Sequence, residues 1–167
     1  IIFTSGSTGE PKGIRIKHKS LINLIKGLNE RIYNEYFDYK KVAVDASFGF
    51  DSSIKQIYYA LVNGQCLVIP NDNVKEFGRR FFAFIAEKAV NVIDITPSFI
   101  DILYIEKRYH ISDCIEKILI GGEVLSEEQV NKARAIFGDE VELYNMYGPS
   151  ECCVDVSAYK VEKKDFT

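Results

Sequence analysis

Short apolar runs alternate with longer stretches at helical spacing along most of the chain. The short runs are rich in Val and Ile and are bounded by Gly, Pro and polar residues, which is typical of strands. They predict strands at 1–4, 42–44, 66–69, 92–95, 117–120 and 141–144, with one more at 154–159. Because strands that alternate with helices usually form a parallel sheet, we expect an α/β fold. The pattern predicts a mostly parallel sheet with helices on both faces.

The first two helices are predicted by apolar residues that recur every three or four positions. One helix is expected to use Ser20 as its N-cap. Its apolar stripe would comprise Leu21, Leu24, Ile25, Leu28 and Ile32. A second helix is expected over 51–63, stopped by Gly64. Its buried face would comprise Ile54, Ile57, Tyr58 and Leu61.

Three later helices have different signals. One is predicted by a run of apolar residues, namely Phe77, Phe81, Phe84 and Ile85. A short helix follows Pro97 and extends through Tyr104. The last begins at a capping box formed by Ser126 and Gln129 and ends before Gly138.

Composition and charge exclude several classes of protein. The 167 residues are 47% apolar and 27% charged, which excludes disordered and collagen-like chains. No run of 18 apolar residues is present, so a membrane span is not expected. With 21 basic and 24 acidic residues the net charge is -3, and no basic stripe occurs. Nucleic acid and membrane surfaces are therefore poor partners, and small molecules or proteins are expected instead.

The four cysteines show no C-x-x-C spacing, and no signal peptide is recognisable. These features predict a cytoplasmic, reduced protein. Cys152 and Cys153 are expected to be core thiols, because a bridge between neighbours would be strained. A zinc site is not expected, since there is no Cys/His cluster. The chain begins at Ile1 without Met, which predicts that it is part of a longer polypeptide.

Candidate chemistry lies in the loops that follow the predicted strands. These loops are 4–13, 96–97, 121–123 and 145–151, and ligands of open α/β sheets bind at the carboxyl ends of the strands. The first loop packs four hydroxyls, three glycines and one lysine into ten residues. Glycines let backbone N–H groups face an anion, and hydroxyls and a lysine add donors and charge. The loop therefore predicts phosphate binding, although Lys12 is followed by Gly13 and so departs from a Walker A motif.

Three strings resemble motifs of the adenylate-forming superfamily, which includes acyl-CoA synthetases, luciferases and the adenylation domains of nonribosomal peptide synthetases. Residues 4–13 resemble its phosphate-binding signature. Phe50-Asp51-Ser52-Ser53 resembles the Phe-Asp-x-Ser motif of amino-acid-activating adenylation domains. Residues 145–151, Asn-Met-Tyr-Gly-Pro-Ser-Glu, resemble Asn-x-Tyr-Gly-Pro-Thr-Glu, with Ser150 in place of Thr.

The resemblance covers essentially the whole chain, but it matches only the middle of such a domain. It implies that residues 1–167 form a single partial domain within the large N-terminal subdomain. The N-terminal part and the C-terminal lid subdomain would be absent. The missing parts include the aspartate that binds the ribose and the lysine that contacts the reacting carboxylate, so we expect no turnover by this chain alone.

The implied reaction is ATP-dependent activation of an amino acid to an aminoacyl-adenylate, followed by transfer to the thiol of a peptidyl carrier protein. ATP and Mg²⁺ are the implied cofactors. The resemblance assigns catalytic roles to Thr4, Lys12 and Glu151, and Glu151 would also bind Mg²⁺. Tyr147 would stack on adenine. The residues that would bind the nucleotide are Thr4, Ser5, Gly6, Ser7, Thr8, Gly9, Lys12, Gly121, Gly122, Glu123, Asn145, Tyr147, Gly148 and Ser150.

The resemblance also implies a substrate pocket in which Asp51 binds the α-ammonium group. The pocket would comprise Asp51, Ser52, Lys55, Asp94, Leu119, Gly121, Met146, Val154 and Asp155. A competing interpretation makes Asp51 a helix N-terminal residue or the i,i+4 partner of Lys55. The set resembles pockets for glutamate or glutamine. Lys55 could pair with a γ-carboxylate, which favours glutamate, but glutamine is equally compatible if Asp94 pairs with Lys55.

Other interpretations stay open from the sequence. A D-alanine:carrier-protein ligase and an acyl-CoA synthetase-like enzyme are alternatives within the superfamily. A non-catalytic nucleotide-binding segment is the alternative outside it, and it would bind ATP independently of any amino acid.

Overall fold

Eight short strands and five helices make up the part of the chain that the computed structural model describes, which is residues 1–4, 10–33, 39–71, 78–106, 114–162 and 165. The strands are β1 Ile2–Thr4, β2 Lys12–Ile14, β3 Lys41–Ala43, β4 Cys66–Val68, β5 Val92–Ile95, β6 Lys117–Ile120, β7 Glu142–Tyr147 and β8 Ser157–Lys160. The helices are α1 His18–Leu28, α2 Ser52–Val62, α3 Gly78–Lys88, α4 Pro97–Ile105 and α5 Glu127–Phe137.

Six of the strands form one sheet in the order β4-β3-β5-β6-β7-β8. All neighbours are parallel except β7 and β8, which are antiparallel. The predicted mostly parallel sheet is therefore confirmed. Asp94 pairs with Leu119, and Ile120 pairs with Asn145, so β5, β6 and β7 end side by side. β1 and β2 form a separate antiparallel hairpin.

Helices cover both faces of this sheet, as the sequence predicts, and two core clusters lie between the layers. Ile118 and Ile120 of β6 belong to the cluster that contains residues of α3, α4 and α5. Leu119, between them, belongs to the cluster that contains residues of α1 and α2. This alternation follows from the two-residue period of a strand, and burial of each such side chain contributes roughly 1.5–3 kcal/mol.

The helix boundaries differ from the prediction mainly at α1. Ser20 is not its cap, because the helix already begins at His18 and its N-cap position, Lys17, makes no side-chain capping bond. Ile32 is buried as predicted, but it lies in a π-helical turn, Asn29–Tyr33, that follows α1. Phe77 lies outside the described residues. The capping box of Ser126 and Gln129 is confirmed at the start of α5.

The prediction of the buried face of α2 is wrong. Tyr58 is 44% exposed and Leu61 is 61% exposed. The buried positions are instead Ser53, Lys55, Gln56, Tyr59 and Ala60. A helix can bury polar side chains only when each finds a partner, and the described structure supplies them for Lys55 and Gln56. The polar face of α2 can therefore be buried, since its side chains have bonding partners.

The cysteine prediction is partly wrong. All four cysteines are free, and Cys153 is buried, but Cys152 is exposed rather than part of the core. Among the described residues, no helix is long and apolar enough to cross a membrane.

Glu142 holds the antiparallel edge strand to the rest of the sheet. Its carboxylate is bonded to Lys117 of β6 and Lys160 of β8, and Tyr144 Oη donates to it at 3.0 Å. Burial alone would raise the pKa of Glu142, but the bonds from these donors outweigh it and lower the pKa to about 2. The ionised carboxylate therefore stabilises the folded state at neutral pH.

We predict that Glu142→Gln lowers the free energy of unfolding at pH 7 by about 1 kcal/mol, a figure that allows for solvent screening of a partly exposed group. A lowered folded-state pKa gives stability that is present above the unfolded pKa and is lost as pH falls toward 2. The difference from the wild type should therefore shrink as urea unfolding is repeated from pH 7 down to pH 3. Glu128→Gln is the matched control, since Glu128 pairs with Lys132 on the surface and is 77% exposed. An equal effect of both substitutions at pH 7 would contradict the prediction.

Candidate functional site

A cavity of about 500 Å³ opens at the carboxyl ends of the parallel strands. This size is within the range of small-molecule sites, and the position agrees with the general rule for open α/β sheets. Its lining comes from β5 and β7, from the helices α2, α3 and α4, and from the loops that follow β3, β5, β6 and β7. The lining residues are Asp45, Ala46, Phe50, Asp51, Ser52, Lys55, Phe81, Asp94, Ile95, Thr96, Phe99, Gly121, Gly122, Glu123, Met146, Gly148, Val154 and Asp155.

Most of the predicted pocket residues meet in this cavity. Those that line it are Asp51, Ser52, Lys55, Asp94, Gly121, Met146, Val154 and Asp155. Leu119 does not line it. Its side chain is 2% exposed and lies in the core cluster on the α1 and α2 side of the sheet. Leu119 pairs with Asp94 across β5 and β6, so the two side chains share one face of the sheet, and a role for Leu119 in the pocket stays a prediction.

Lys55 lies at the centre of the polar wall and is 3% exposed. Its Nζ is 2.7 Å from Asp94 Oδ2 and 2.8 Å from Asp155 Oδ2. Burial alone would lower the pKa of Lys55, but the two carboxylates outweigh it and raise that pKa above its usual value. Burial raises the pKa of Asp94, and the nearby Asp155 charge adds to this, against the attraction of Lys55. One cation thus faces two acidic groups.

Asp51 occupies the N-terminal boundary of α2 but makes no capping bond with its side chain. Its carboxylate instead accepts a hydrogen bond from Ser150 Oγ, which lies 99 residues further along the chain. Lys55 pairs with Asp94 and Asp155, not with Asp51. The i,i+4 interpretation of Asp51 is therefore not realised, whereas its predicted position at the N-terminus of a helix is, and Asp51 also lines the cavity.

The segment after β7 brings Asp155 back toward the sheet. Ser150–Cys152 form a 3₁₀ turn, and Cys153 and Val154 then adopt positive φ angles of 68° and 75°. Such angles are strained for a β-branched residue, so the surrounding contacts must hold them. The N–H of Val156 donates to the carbonyl oxygen of Tyr147 at 2.9 Å and closes the segment.

Gly148 is required where this segment folds back. A Cβ at this position would collide with the carbonyl oxygen of Val154 and would lie 2.6 Å from Asp155 Cα. Only a residue without a side chain permits this approach of the two backbones. The glycine of the third motif therefore allows Asp155 to lie beside Lys55.

The loop after β6 forms another wall of the cavity. Gly122 has a positive φ of 86°, and Gly121 and Glu123 flank it. Glu123 accepts hydrogen bonds from Ser98 N at 3.0 Å and from Ser98 Oγ at 2.8 Å. Ser98 lies in the first turn of α4, where a carboxylate is stabilised by the free N–H groups. Glu123 thus ties the loop to the start of α4.

The residues predicted to bind the nucleotide lie in different parts of the chain, and not all of them are described. Thr4 and Lys12 face each other across the β1–β2 hairpin, which encloses the predicted phosphate loop. Ser5, Gly6, Ser7, Thr8 and Gly9 lie outside the described residues. Among the residues that the structure describes, the cavity lining includes neither Thr4 nor Lys12.

The remaining nucleotide residues belong to the third motif. Asn145 lies within β7, and Tyr147 ends that strand with 69% of its surface exposed, a geometry that leaves its ring open to stacking. Glu151 is also exposed, on the 3₁₀ turn. Within the described parts of the chain, no group of three or more His, Cys, Asp or Glu residues could hold a metal ion.

Sequence reasoning missed part of the cavity. Asp45, Phe81 and Phe99 line it without having been predicted as site residues. Asp45 directly follows the apolar run 42–44, so its position at the carboxyl end of a strand was an available signal. Phe81 and Phe99 had no such signal, because their aromatic rings also pack together edge to face, with centroids 5.1 Å apart, as core residues do.

Comparison with known proteins identifies relatives along the whole chain. A family model described as AMP-binding enzyme matches residues 1–166. Bacitracin synthase 1 from Bacillus licheniformis is 34% identical over 164 residues, which is 97% of this chain and 3% of that protein. The chain therefore spans a small fraction of this curated relative.

Two solved structures share the fold. One is the crystal structure of the Vibrio cholerae adenylation domain AlmE in complex with glycyl-adenosine-5'-phosphate. Its TM-score is 0.85 at 22% identity, and the match covers 99% of this chain and 31% of the other chain. The structure of a nonribosomal peptide synthetase protein containing adenylation and PCP domains, bound to a vinylsulfonamide inhibitor, has a TM-score of 0.81 at 27% identity. This match covers 98% of the present chain and 28% of the chain in that structure.

We predict that Gly148→Ala destabilises the protein by about 1–3 kcal/mol, because the added methyl group forces the Val154–Asp155 backbone to move. Urea unfolding at pH 7 measures this. Gly27→Ala is the matched control, since a Cβ there meets nothing within 4 Å and alanine is the better helix former. Equal stability of the Gly148→Ala variant and the wild type would show that the two backbones are not in tight contact.

Proposed function

Because the chain belongs to the AMP-binding enzyme family, we propose that it forms part of an enzyme that activates an amino acid with ATP. The proposed reaction joins the carboxylate of the amino acid to AMP and releases pyrophosphate. The aminoacyl group would then pass to the thiol of a carrier protein. The last step is supported by the relative whose structure contains adenylation and PCP domains.

The observation that carries this proposal is the hydrogen bond between Ser150 and Asp51. Asp51 belongs to the motif typical of amino-acid activation, and Ser150 belongs to the motif that we assign to the nucleotide. Adenylation requires the two reactants to be held next to each other, since positioning supplies much of the rate enhancement. The contact between the motifs supports a single site for both reactants.

Asp51 suits the α-ammonium group of an amino acid. Its carboxylate lines the cavity, and its hydrogen bond to Ser150 fixes its orientation. A charge-assisted hydrogen bond from an ammonium group is stronger than a neutral one, so the site should select an amino acid over a plain fatty or aryl acid.

The chain's residues fit ATP and Mg²⁺. Tyr147 offers an exposed ring at the end of β7, and Glu151 offers an exposed carboxylate on the turn that follows. We assign adenine stacking to Tyr147 and Mg²⁺ binding to Glu151, with Thr4 and Lys12 at the two ends of the phosphate loop. Gly121, Gly122, Asn145 and Gly148 would form the backbone around the nucleotide. Mg²⁺ would supply charge that stabilises the leaving pyrophosphate.

We propose glutamate or glutamine as the substrate. Lys55 is already paired with Asp94 and Asp155, so it is not a free cation awaiting a γ-carboxylate. An amide side chain can donate to the two aspartates. A γ-carboxylate can approach Lys55 if the acidic groups around it accept a proton. Both side chains are therefore compatible with this wall of the cavity.

The proposed setting is a larger adenylation domain. We propose that residues 1–167 form its central part and that the chain alone does not turn over. A cytoplasmic location is proposed because the reaction consumes ATP and because all four cysteines are free.

We predict that ATP–pyrophosphate exchange by the full-length protein is stimulated most by glutamate or glutamine in a panel of amino acids. Lys55→Ala should abolish the preference for these two, because it removes the cation between Asp94 and Asp155. Circular dichroism checks that the variant folds, since an unbalanced buried charge is destabilising. A different preferred amino acid would contradict the substrate proposal. ATP binding without exchange for any amino acid would favour a non-catalytic nucleotide-binding segment.

Asp51→Asn tests the reaction class independently of the side-chain pocket. We expect the KM for the amino acid to rise about 10- to 100-fold, because a charge-assisted hydrogen bond contributes roughly 1.5–3 kcal/mol. The KM for ATP should stay unchanged. Asp101→Asn is the matched control, since Asp101 pairs with Lys132 away from the cavity. A rise in the KM for ATP with no change in that for the amino acid would overturn the assignment of Asp51.

A further inference from the structure

Asp45 is an acidic residue in the cavity wall to which none of the three motifs gives a role. It lies two residues after β3, and its carboxylate reaches the backbone of Asp94 in the neighbouring strand β5. Its backbone neighbours Val44 and Ala46 continue the strand into the loop before α2. A carboxylate in this wall needs hydrogen-bond partners, and those of Asp45 connect it to the part of the wall that holds Lys55.

The contacts of Asp45 connect three elements. Its Oδ1 accepts a hydrogen bond from Gln56 Nε2 at 2.5 Å, and its Oδ2 accepts one from the backbone N–H of Asp94 at 3.1 Å. Gln56 is 3% exposed, and its Oε1 accepts from the N–H of Ala46 at 3.3 Å. Asp45 therefore links the end of β3, the buried face of α2 and the backbone of β5. Because Gln56 directly follows Lys55 in α2, the link anchors the turn of α2 that carries Lys55.

The groups around Asp45 carry an excess of negative charge. From α2 the facing groups are Lys55 and the neutral Gln56, and Asp51 lies at the start of that helix. β5 contributes Asp94, the loop after β6 contributes Glu123, which is bonded to Ser98, and the segment after β7 contributes Asp155. One lysine thus faces several carboxylates in a largely buried wall. Unpaired charge in such a place is costly, and a proton on one carboxylate relieves it.

We propose that Asp45 is a positioning residue of the substrate pocket that takes up a proton when an anionic side chain binds beside Lys55. The proposal rests on the proposed function, and it concerns how the pocket admits glutamate. The step is the transfer of one proton from solvent to a carboxylate oxygen of Asp45, with no other bond made or broken. Glutamine brings no charge and therefore needs no proton.

The chemistry of Asp45 supports this role. Burial, and then the charge of Asp94, raise the pKa of Asp45 to about 7, against the hydrogen bonds that favour its ionised form. A γ-carboxylate in the cavity would raise that pKa further, since a nearby like charge disfavours ionisation. By linkage, glutamate must then bind more weakly as pH rises above 7. Below pH 7 Asp45 is already protonated, so the binding of glutamate no longer depends on pH through this group.

The test measures the KM values for glutamate and for glutamine in pyrophosphate exchange by the full-length protein between pH 6 and pH 8.5. For one proton taken up, the KM for glutamate should rise about tenfold per pH unit above pH 7, while the KM for glutamine stays level. The ratio of the two KM values cancels the titration of ATP, Mg²⁺ and the α-ammonium group, which both substrates share. In Asp45→Asn, which is neutral at every pH, the KM for glutamate should be level across the range.

Asp101→Asn is the matched control, because it makes the same chemical change outside the cavity and should keep the wild-type slope. A pH-independent ratio in the wild type would overturn the proposal, even if Asp45→Asn fails to fold. A wild-type slope that persists in Asp45→Asn would also overturn it, since the proton would then reside elsewhere. Absence of exchange with any amino acid would overturn the proposed function itself, and that outcome is distinct from exchange without a pH slope.

Discussion

The buried ion cluster of Lys55, Asp94 and Asp155 is the interaction on which the rest of the site depends. It joins α2 to β5 and to the segment after β7, so it determines how the helix is rotated on the sheet. The polar face of α2 is buried for this reason, and the apolar residues Tyr58 and Leu61 remain at the surface. Buried ion pairs contribute little net stability, because desolvation offsets much of the attraction, but the loss of one partner leaves an uncompensated buried charge. An arrangement of α2 that separated Lys55 from its two carboxylates would therefore be costly.

Much of the fold was predictable, because it depends on short-range patterns. The strands over 92–95 and 117–120 have the predicted bounds, and the capping box at Ser126 starts α5 as expected. These features depend on β-branched runs and on a local hydrogen-bond pattern, which neighbouring residues determine. The orientation of α2 was not predictable in this way. Its apolar spacing favoured one face, while charged partners from β5 and beyond β7 selected another.

The candidate site, like the fold, was predictable only in part. The sequence placed Ser150 in a loop at one sheet edge and Asp51 at the start of a helix, and the structure brings them into contact. The role of Asp45 could not be deduced from the sequence, since it depends on which strands are neighbours in the sheet. Asp45 is close to Asp94 because β3 and β5 are adjacent in the sheet although they are not consecutive in the chain. Sequence patterns identify the residues that carry the chemistry of a site more readily than the residues that hold them in place.

The long separation between the partners of Lys55 also bears on how the protein is made. Asp155 follows Lys55 by 100 residues, and β5, β6 and β7 all lie between them in the chain. At ordinary elongation rates of about 5–20 residues per second, the ribosome needs roughly 5–20 s to deliver Asp155 after Lys55. During that interval the lysine has no complete set of partners and must stay hydrated. The wall of the cavity that holds Lys55 can therefore be completed only late in synthesis.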